Sequence, residues 1–346
     1  MKKFLVYLVL ALLALTALLQ WSLNSESTQQ VLLEEMATVA QNAAARGIPE
    51  PDGLQVFVCG SSSPLPTPDR AQACLAVVTP SHFYVVDAGA GSTNNLMLSR
   101  LPMHRLQAIL VTHHHSDHIA ELYEMNLGSW VQGRPLPLQV YGPRGMDQVV
   151  EGINDTYELD RGYRIAHHGA DLLPASLGVM QPEEIDSGFV LQDGDLKITA
   201  YHADHSPVSP ALGYRFDYRG RSLVISGDSI VTDDTRQVTA ATDLVFHDAL
   251  SDVTISTMAE AATQAGQDRA AKILSDIRDY HASTESLLAL QSQAKMVVYY
   301  HLVPSPRNVV MEKIFSRHMA DNYRIAEDGD WFFLPAASTE IIVNPD

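Results

Sequence analysis

Short apolar runs separated by turn-forming residues dominate the chain from Leu54 onward. The runs LQVFVCG, ACLAVVT, HFYVVDAG and AILVT are rich in Val, Ile and aromatic residues, and turn-forming residues separate them, which predicts β-strands. Helical spacing covers residues 144–154, 258–276 and 284–294 between later strand-like runs. Strands that alternate with helices, together with hairpin-like strand pairs, predict an α/β sandwich of mixed sheets covered by helices.

The N-terminal residues have a different pattern. Lys2 and Lys3 precede an apolar stretch that runs from Phe4 to Leu19 with one interruption at Thr16, which predicts a signal peptide or a membrane anchor at residues 1–24. A small-x-small cleavage site is missing after this stretch, which favours the anchor. The leading lysines should stay in the cytoplasm, so we expect the chain to be exported, either periplasmic or anchored in the inner membrane facing the periplasm.

Residues 25–52 form the next segment. Residues 27–47 place several apolar side chains on one face and end at Gly47, with Pro49 close behind, which predicts an amphipathic helix followed by a linker. The remaining residues, 53–346, are expected to form the globular domain.

Composition narrows the classes of function. The net charge is −18, from 41 acidic and 23 basic residues, and this charge disfavours a nucleic-acid partner because sequence-independent affinity for phosphates depends on Lys and Arg. The two cysteines, Cys59 and Cys74, are not a Cys-x-x-Cys pair and exclude a cysteine-based metal site. They are either a disulfide of an exported protein or two buried thiols on neighbouring strands.

The run AILVT ends directly on THHHSDH, which contains His113, His115, Asp117 and His118 in the pattern H-x-H-x-D-H. At a strand end, side chains two positions apart point the same way, so His113 and His115 can share one metal ion. Asp117 and His118 can then face a second ion beside the first. Imidazole and carboxylate groups are typical zinc ligands, and this density of them predicts a metal site.

Three further ligand-type residues follow apolar runs elsewhere in the chain. His205 ends LKITAYHADH, Asp228 follows SLVISG, and His301 follows MVVYY. Their recurrence at strand ends predicts that they complete the site.

Together these features resemble the metallo-β-lactamase superfamily of dinuclear metallohydrolases. The H-x-H-x-D-H run, a later His before ALGYR, SGDS and YYHLVP carry the resemblance over residues 54–335, and the nearest branch contains ribonuclease Z, arylsulfatases and phosphodiesterase-like enzymes. The resemblance implies a four-layer αββα sandwich, so that residues 53–346 would be a hydrolase domain.

The family pattern assigns a role to each residue of the site. It implies one metal on His113, His115 and His205, and a second on Asp117, His118 and His301, with Asp228 bridging both. The cofactors implied are two divalent metal ions, with zinc favoured. Asp87, which ends the strand in VVDAG, matches the aspartate that orients the ligands from behind, while His114 is expected to point away.

The segment DYHASTESL resembles the histidine-bearing loop that ribonuclease Z-like members place beside the metals. The resemblance implies that His281 stabilises the transition state or protonates the leaving group and that Glu285 orients it. With Asp117 and Asp228, these two residues make up the catalytic set. His205 is preferred to His202 as the ligand because it leads into ALGYR.

A dinuclear centre implies hydrolysis by a metal-bridging hydroxide. The leading expectation is a small phosphodiester cleaved outside the cytoplasm. The charge disfavours nucleic acid as a partner, and the N-terminal segment is expected to contact the membrane. The alternatives are a ribonuclease Z-like endonuclease that processes the 3′ end of transfer RNA, an arylsulfatase or a carboxylic ester or lactone hydrolase, and a non-catalytic membrane-anchored metal-binding module. A homodimer stays open, because the sequence leaves the oligomeric state undetermined.

Overall fold

The computed structural model describes residues 2–44, 52–65, 67–290 and 294–344. The chain divides into two compact units, residues 1–49 and residues 50–346. The first unit contains α1 (Lys2–Leu23) and α2 (Glu26–Ala44). No helix in the described ranges has both the length and the apolar character needed to cross a membrane.

That finding does not confirm the anchor predicted for residues 1–24, and the signal peptide stays a prediction. The helix predicted over residues 27–47 corresponds to α2. The linker that we predicted after it lies outside the described residues, apart from Asp52.

The second unit is built on two mixed β-sheets. The first has eight strands in the spatial order β15-β14-β1-β2-β3-β4-β5-β6, namely Ile342–Val343, Trp331–Pro335, Gly53–Gly60, Cys74–Val78, Phe83–Val86, Ala108–Leu110, Leu138–Gly142 and Met180–Glu184. The second has seven in the order β13-β12-β11-β10-β9-β8-β7, namely Tyr323–Ile325, Ala294–Val303, Thr242–Leu250, Arg221–Ile225, Val208–Tyr218, Leu196–His205 and Val190–Asp193.

Each sheet has a parallel half and an antiparallel half. Strands β3 to β6 are parallel in the first sheet, and β10 to β13 are parallel in the second. The carboxyl ends of parallel strands meet at one edge, so Asp87, which follows β3, lies beside the loop that follows β4. In the second sheet, Asp228 follows β10, and His301 lies near the end of β12.

The two sheets pack face to face through a continuous apolar core. Its largest members include Tyr214, Phe216, Phe246 and Phe332, all at most 1% exposed. Alternate residues of each strand point into this layer, as the period-2 pattern of β8 shows. The outer face of the second sheet carries its own cluster, which includes Leu287 and other residues of the flanking segments.

Helices cover the outer faces of the sheets. They are α3 (Ser92–Leu98), α4 (Ser116–Ile119), α5 (Leu122–Val131), α6 (Met146–Thr156), α7 (Glu158–His168), α8 (Asp233–Thr239), α9 (Asp252–Gln264), α10 (Asp268–Asp276), α11 (Thr284–Leu287) and α12 (Val309–Phe315). The predicted αββα sandwich is therefore confirmed.

Two predicted helices have different bounds in the structure. The helix expected over residues 258–276 is two helices, because Gly266 adopts a φ of 69° between α9 and α10 and ends the first of them. The helix expected over residues 284–294 is shorter in the structure. The four-residue α11 is followed by a short 3-10 turn at Leu288–Leu290, and Ala294 already belongs to β12.

The cysteine question is resolved by the pairing of β1 with β2. Gly60 lies opposite Cys74 in this antiparallel pair, and Cys59 and Cys74 form a disulfide with a Cα–Cα distance of 5.0 Å. Both cysteine side chains are buried, and the disulfide links the two neighbouring strands within the core.

Candidate metal centre

One group of donor atoms gathers His113, His115 and His205 around one oxygen of Asp228. His113 Nε2 lies 2.9 Å from His115 Nδ1, and His205 Nε2 lies 3.4 Å from the same atom. Asp228 Oδ2 lies 3.8 Å from the Nε2 atoms of His113 and His205. These four residues therefore form one compact set of possible metal ligands.

A second group lies on the other side of Asp228. His301 Nε2 lies 3.0 Å from Asp117 Oδ2, and His118 Nε2 lies 3.5 Å from the same oxygen. Asp228 Oδ1 lies 3.5 Å from His118 Nε2 and 3.3 Å from His301 Nδ1. One carboxylate thus presents a different oxygen to each group, as a bridging ligand does.

The donor atoms fit divalent cations. Ligand atoms bound tetrahedrally at about 2.0–2.1 Å from a zinc ion lie about 3.3 Å apart, close to the separations in both groups. Three of the atoms, His118 Nε2, Asp228 Oδ1 and His301 Nδ1, are buried without a hydrogen-bond partner among the described residues. Buried polar atoms normally have partners, so atoms left in this state mark a place where a cation binds.

Burial prepares the first group for metal binding. It lowers the pKa of His113, His115 and His205, which keeps these imidazoles neutral. Neutral imidazole is the form that coordinates a metal ion, so the three side chains are held in the binding form.

In the second group the carboxylates dominate. Burial disfavours charge on His118, but Asp228, Asp87 and Asp117 outweigh it and raise the pKa of His118. Burial opposes ionisation of Asp228 as well, yet the neighbouring histidines, led by His301, hold its pKa well below the ordinary value. A divalent cation between these groups would replace the proton that they otherwise share.

The backbone conformation of Gly227 helps to position Asp228. Gly227 adopts a φ of 63°, and a Cβ there would come within 2.8 Å of both the Leu212 carbonyl oxygen and the Thr112 side chain. Only glycine allows this close passage, which brings Asp228 against the loop that carries His113.

Asp87 lies behind the second group. Its Oδ2 lies 2.8 Å from His118 Nδ1, and its Oδ1 accepts hydrogen bonds from the amide and hydroxyl of Thr112. From this position Asp87 can fix the tautomer of His118 and leave Nε2 free to bind a metal, which is the role that the family resemblance implies for it. Asp87 and His301 both have positive φ values, 61° and 43°, and such backbone strain concentrates at functional sites.

His281 lies beside both groups. Its ring stacks on that of His301 with centroids 5.5 Å apart, and Asp228, His281 and His301 form a third set of adjacent donors. Its Nδ1 lies 2.9 Å from Asp248 Oδ2, while the other oxygen of Asp248 lies 2.9 Å from His247 Nδ1. Asp248 therefore lies between His281 and His247 and contacts each of them through a different carboxylate oxygen.

Glu285 does not occupy the position that we expected. It is exposed on α11, and no hydrogen bond joins it to His281 in the described part of the chain. The carboxylate that holds His281 is Asp248, which the sequence analysis missed. Asp248 lies within β11, whose nine residues are all buried, so its surroundings look like those of a core strand.

The remaining histidines lie outside the centre. The side chain of His202 is 53% exposed and lies 3.7 Å from Asp234, so the structure brings His205, not His202, to the other ligands. His114 turns towards the carbonyl oxygen of Arg144, 3.2 Å away. His167 and His168 are exposed at the end of α7.

The sandwich and its paired donor groups define a metal-dependent hydrolase. The family described as "Beta-lactamase superfamily domain" matches residues 82–287. Ribonuclease Z from Mycobacterium bovis is 33% identical over 257 residues, which cover 73% of this chain and 87% of the relative. Ribonuclease Z from Mycobacterium marinum is 32% identical over the same shares of the two chains.

Solved structures show the same fold. The metallo-beta-lactamase fold protein YhfI from Bacillus subtilis superposes with a TM-score of 0.60 at 16% identity, covering 82% of this chain and all (100%) of that one. The short form of human tRNase Z gives a TM-score of 0.56 at 20% identity and covers 80% of this chain and 98% of its own. The chain belongs to the metallo-β-lactamase superfamily, within its ribonuclease Z branch.

Proposed function

We propose that this protein is a phosphodiesterase that holds two divalent ions, preferably zinc, and hydrolyses a small phosphodiester. The observation that carries the proposal is the division of seven donor residues into two adjacent groups that share Asp228 through its separate oxygens. When bound, two such cations supply a nucleophilic hydroxide near neutral pH and neutralise charge on the phosphoryl oxygens.

Side chains of the protein space the ligands and donate the proton. Asp228 links the two ligand groups, because its Oδ2 lies 3.8 Å from His113 Nε2 and its Oδ1 lies 3.3 Å from His301 Nδ1. Within the second group, Asp117 contacts His301 at 3.0 Å. His281, held through Nδ1 by Asp248, keeps Nε2 available to donate a proton to the departing alcohol oxygen. Asp248 itself stays ionised: burial opposes its charge, but hydrogen bonds from His247 and His281 outweigh this and lower the pKa of Asp248.

Two observations support a phosphodiester as the bond that is cleaved. The relatives at 33% and 32% identity are named ribonuclease Z, and a ribonuclease cleaves phosphodiesters. The seven donors offer only nitrogen and oxygen atoms, which suit the hard and borderline cations that polarise phosphoryl oxygens.

The second candidate is a ribonuclease Z-like endonuclease acting on transfer RNA, and the names of these same relatives favour it. The charge of this chain favours the small substrate instead, because a net charge of −18 repels a polyanion. The two candidates share the metal centre and differ only in what lies beyond the scissile bond.

The test is a substrate panel with metal-loaded full-length protein. We expect bis(p-nitrophenyl) phosphate to be hydrolysed, with p-nitrophenyl sulfate and p-nitrophenyl acetate much poorer, and precursor transfer RNA left intact. Asp228→Ala should abolish the activity, whereas His202→Ala, at an exposed histidine outside the centre, should keep it. Cleavage of precursor transfer RNA without hydrolysis of the small diester would favour the second candidate, and preference for the sulfate or acetate ester would refute both.

We also propose that the protein works outside the cytoplasm. Lys2 and Lys3 begin α1, ahead of its apolar stretch, as in export signals, and the disulfide between Cys59 and Cys74 suits an oxidising compartment. Fusing residues 1–24 to alkaline phosphatase should give activity in intact cells, and replacing the apolar stretch should remove it. A fusion active only after lysis would contradict the proposal.

A further inference from the structure

A cavity of about 460 Å³ adjoins the metal centre. It is lined by His115 and His205, by Asp276, Asp279 and Tyr280, and by residues 206–208 at the tip of the β8–β9 hairpin. Its volume lies within the range of small-molecule sites, about 300–1,000 Å³. Because two proposed metal ligands line it, a group attached to a phosphate at the metals would enter this space.

The charge in this cavity is one-sided. Among the described residues that line it there is no Lys or Arg. Both carboxylate oxygens of Asp276 contact Lys272 Nζ, at 2.6 Å and 2.7 Å, whereas the side chain of Asp279 makes no hydrogen bond or salt bridge with a described residue. Arg278 pairs with Asp252, its Nε 2.6 Å away, and interacts with Asp279 only through longer-range charge.

Tyr280 gives the cavity a rigid aromatic surface. Its carbonyl oxygen accepts a hydrogen bond from His205 Nδ1 at 2.9 Å, and its ring packs edge-to-face on His205 with centroids 5.1 Å apart. The ring is thereby fixed next to a metal ligand while remaining only half-buried. An aromatic face beside carboxylates is the environment that binds ammonium groups.

Resting on the proposed phosphodiesterase function, we infer that the substrate is a phosphodiester with an ammonium group on one of its two alcohols. That group occupies the cavity between Asp276, Asp279 and Tyr280, while the phosphate faces the metal donors. Hydrolysis consumes one water: a new P–O bond forms to its oxygen, the bond to the other alcohol breaks, and that alcohol leaves with a proton from His281. The products are an ammonium-bearing phosphate monoester and a free alcohol.

A matched pair of substrates tests the inference. p-Nitrophenyl phosphocholine carries a quaternary ammonium, and the neohexyl ester of p-nitrophenyl phosphate has the same shape with carbon in place of nitrogen. The leaving group is identical, so the ratio of kcat/KM values reports only on the ammonium. We expect the choline ester to be favoured by about tenfold, mainly through a lower KM.

Variants assign that preference to the cavity wall. Asp276→Asn combined with Asp279→Asn should bring the ratio close to one by raising KM for the choline ester alone, and Tyr280→Leu should reduce it in part. Asp268→Asn is the control, because this exposed residue lies at the other end of α10, about 12 Å from Asp276 along the helix axis. It removes one negative charge from the same helix and should leave the ratio unchanged.

Binding provides a second readout. Calorimetric titration of the metal-loaded protein should give a lower Kd for phosphocholine than for neohexyl phosphate, and the double variant should remove the difference. Equal hydrolysis and equal binding of the two partners would overturn the inference and leave the phosphodiesterase proposal intact. Failure to hydrolyse either diester would overturn the proposed function, and the inference with it.

Discussion

His281 Nδ1 lies 2.9 Å from Asp248 Oδ2, and this contact links the residue next to the metal donors to a carboxylate buried in the second sheet. Asp248 is 0% exposed and also contacts His247. A carboxylate held on both sides cannot rotate freely, so it fixes both the orientation and the tautomer of His281. Nε2 is then the nitrogen left for chemistry.

The first prediction concerns Asp248. Asp248→Asn keeps the shape of the side chain but replaces the carboxylate that fixes the orientation and tautomer of His281 with a neutral amide. We expect kcat to fall about 100-fold on a substrate with a poor leaving group, as for the loss of a general acid, with KM changed little. Steady-state kinetics with a phosphodiester of an unactivated alcohol measure this.

A leaving-group comparison separates catalysis from simple damage to the fold. The loss should be much smaller with p-nitrophenolate, which leaves without protonation, and the metal content should stay at the wild-type level. Glu285→Gln tests the partner expected from the sequence and should cost far less than Asp248→Asn. An equal loss with both kinds of leaving group would refute the proton-donor role.

The second prediction uses two adjacent histidines. His115 belongs to the first donor group, whereas the neighbouring His114 turns to the carbonyl oxygen of Arg144. His115→Ala should therefore lose about one of the two bound ions per chain, and His114→Ala should keep both. Elemental analysis after dialysis against a weak chelator measures the stoichiometry. Equal metal contents in the two variants would contradict the ligand assignment.

The third prediction concerns the orientation of His118. Asp87→Asn leaves an amide against His118 Nδ1, 2.8 Å from the present carboxylate oxygen, and Asn also tolerates the positive φ of this position. We expect the affinity of the second donor group for its ion to fall about 10- to 100-fold, the usual cost of losing a carboxylate behind a metal-bound histidine. Competition with a chromogenic chelator gives the dissociation constant, and an unchanged value would show that Asp87 only supports the turn.

Much of the centre was predictable because its residues follow a regular rule. His205 and Asp228 both end apolar runs. Their strands, β8 and β10, run in the same direction on either side of the antiparallel β9, so both ends lie at one edge of the sheet. The rule also covers Asp87, after β3. His301 fits it less simply, since it lies inside β12, two residues before the strand ends.

Asp248 was not predictable by the same rule. It lies inside the buried strand segment DLVFHDAL rather than at its end, and its partner His281 is 33 residues away. Contacts of that kind depend on how two strand ends and a loop pack. The cysteines show a related limit: only the register of β1 against β2 decides between a disulfide and two thiols.

The last prediction concerns the stability of the fold in acid. It depends on Asp243, a carboxylate whose hydrogen-bond partners are not among the metal donors. Asp243, on β11, accepts hydrogen bonds from Arg221 Nε at 3.1 Å, from the Ser222 amide at 2.9 Å and from Lys295 Nζ at 2.6 Å. Burial opposes the charge of Asp243, but Lys295, Arg221 and the Ser222 amide outweigh it and lower its pKa. A pKa lowered by folding means that the unfolded chain binds the proton more readily.

The stabilisation from Asp243 should therefore be complete above the pKa of the unfolded chain, about 3.9, and should disappear as the pH falls through the lower folded-state value. At pH 7, Asp243→Asn leaves the nearly buried Arg221 without its counter-charge, and we expect the free energy of unfolding to drop by about 3 kcal/mol. In acid the wild type loses the same charge, so the two proteins should converge.

Urea unfolding of both proteins, free of metal so that ligand protonation does not differ between them, measures this difference from neutral pH down into the acid range. A gap that narrows only below about pH 4 matches the lowered pKa. A gap that stays constant down to the lowest pH would mean that Asn disturbs packing at β11 and that the charge of Asp243 contributes nothing, because a packing defect does not depend on protonation of this site.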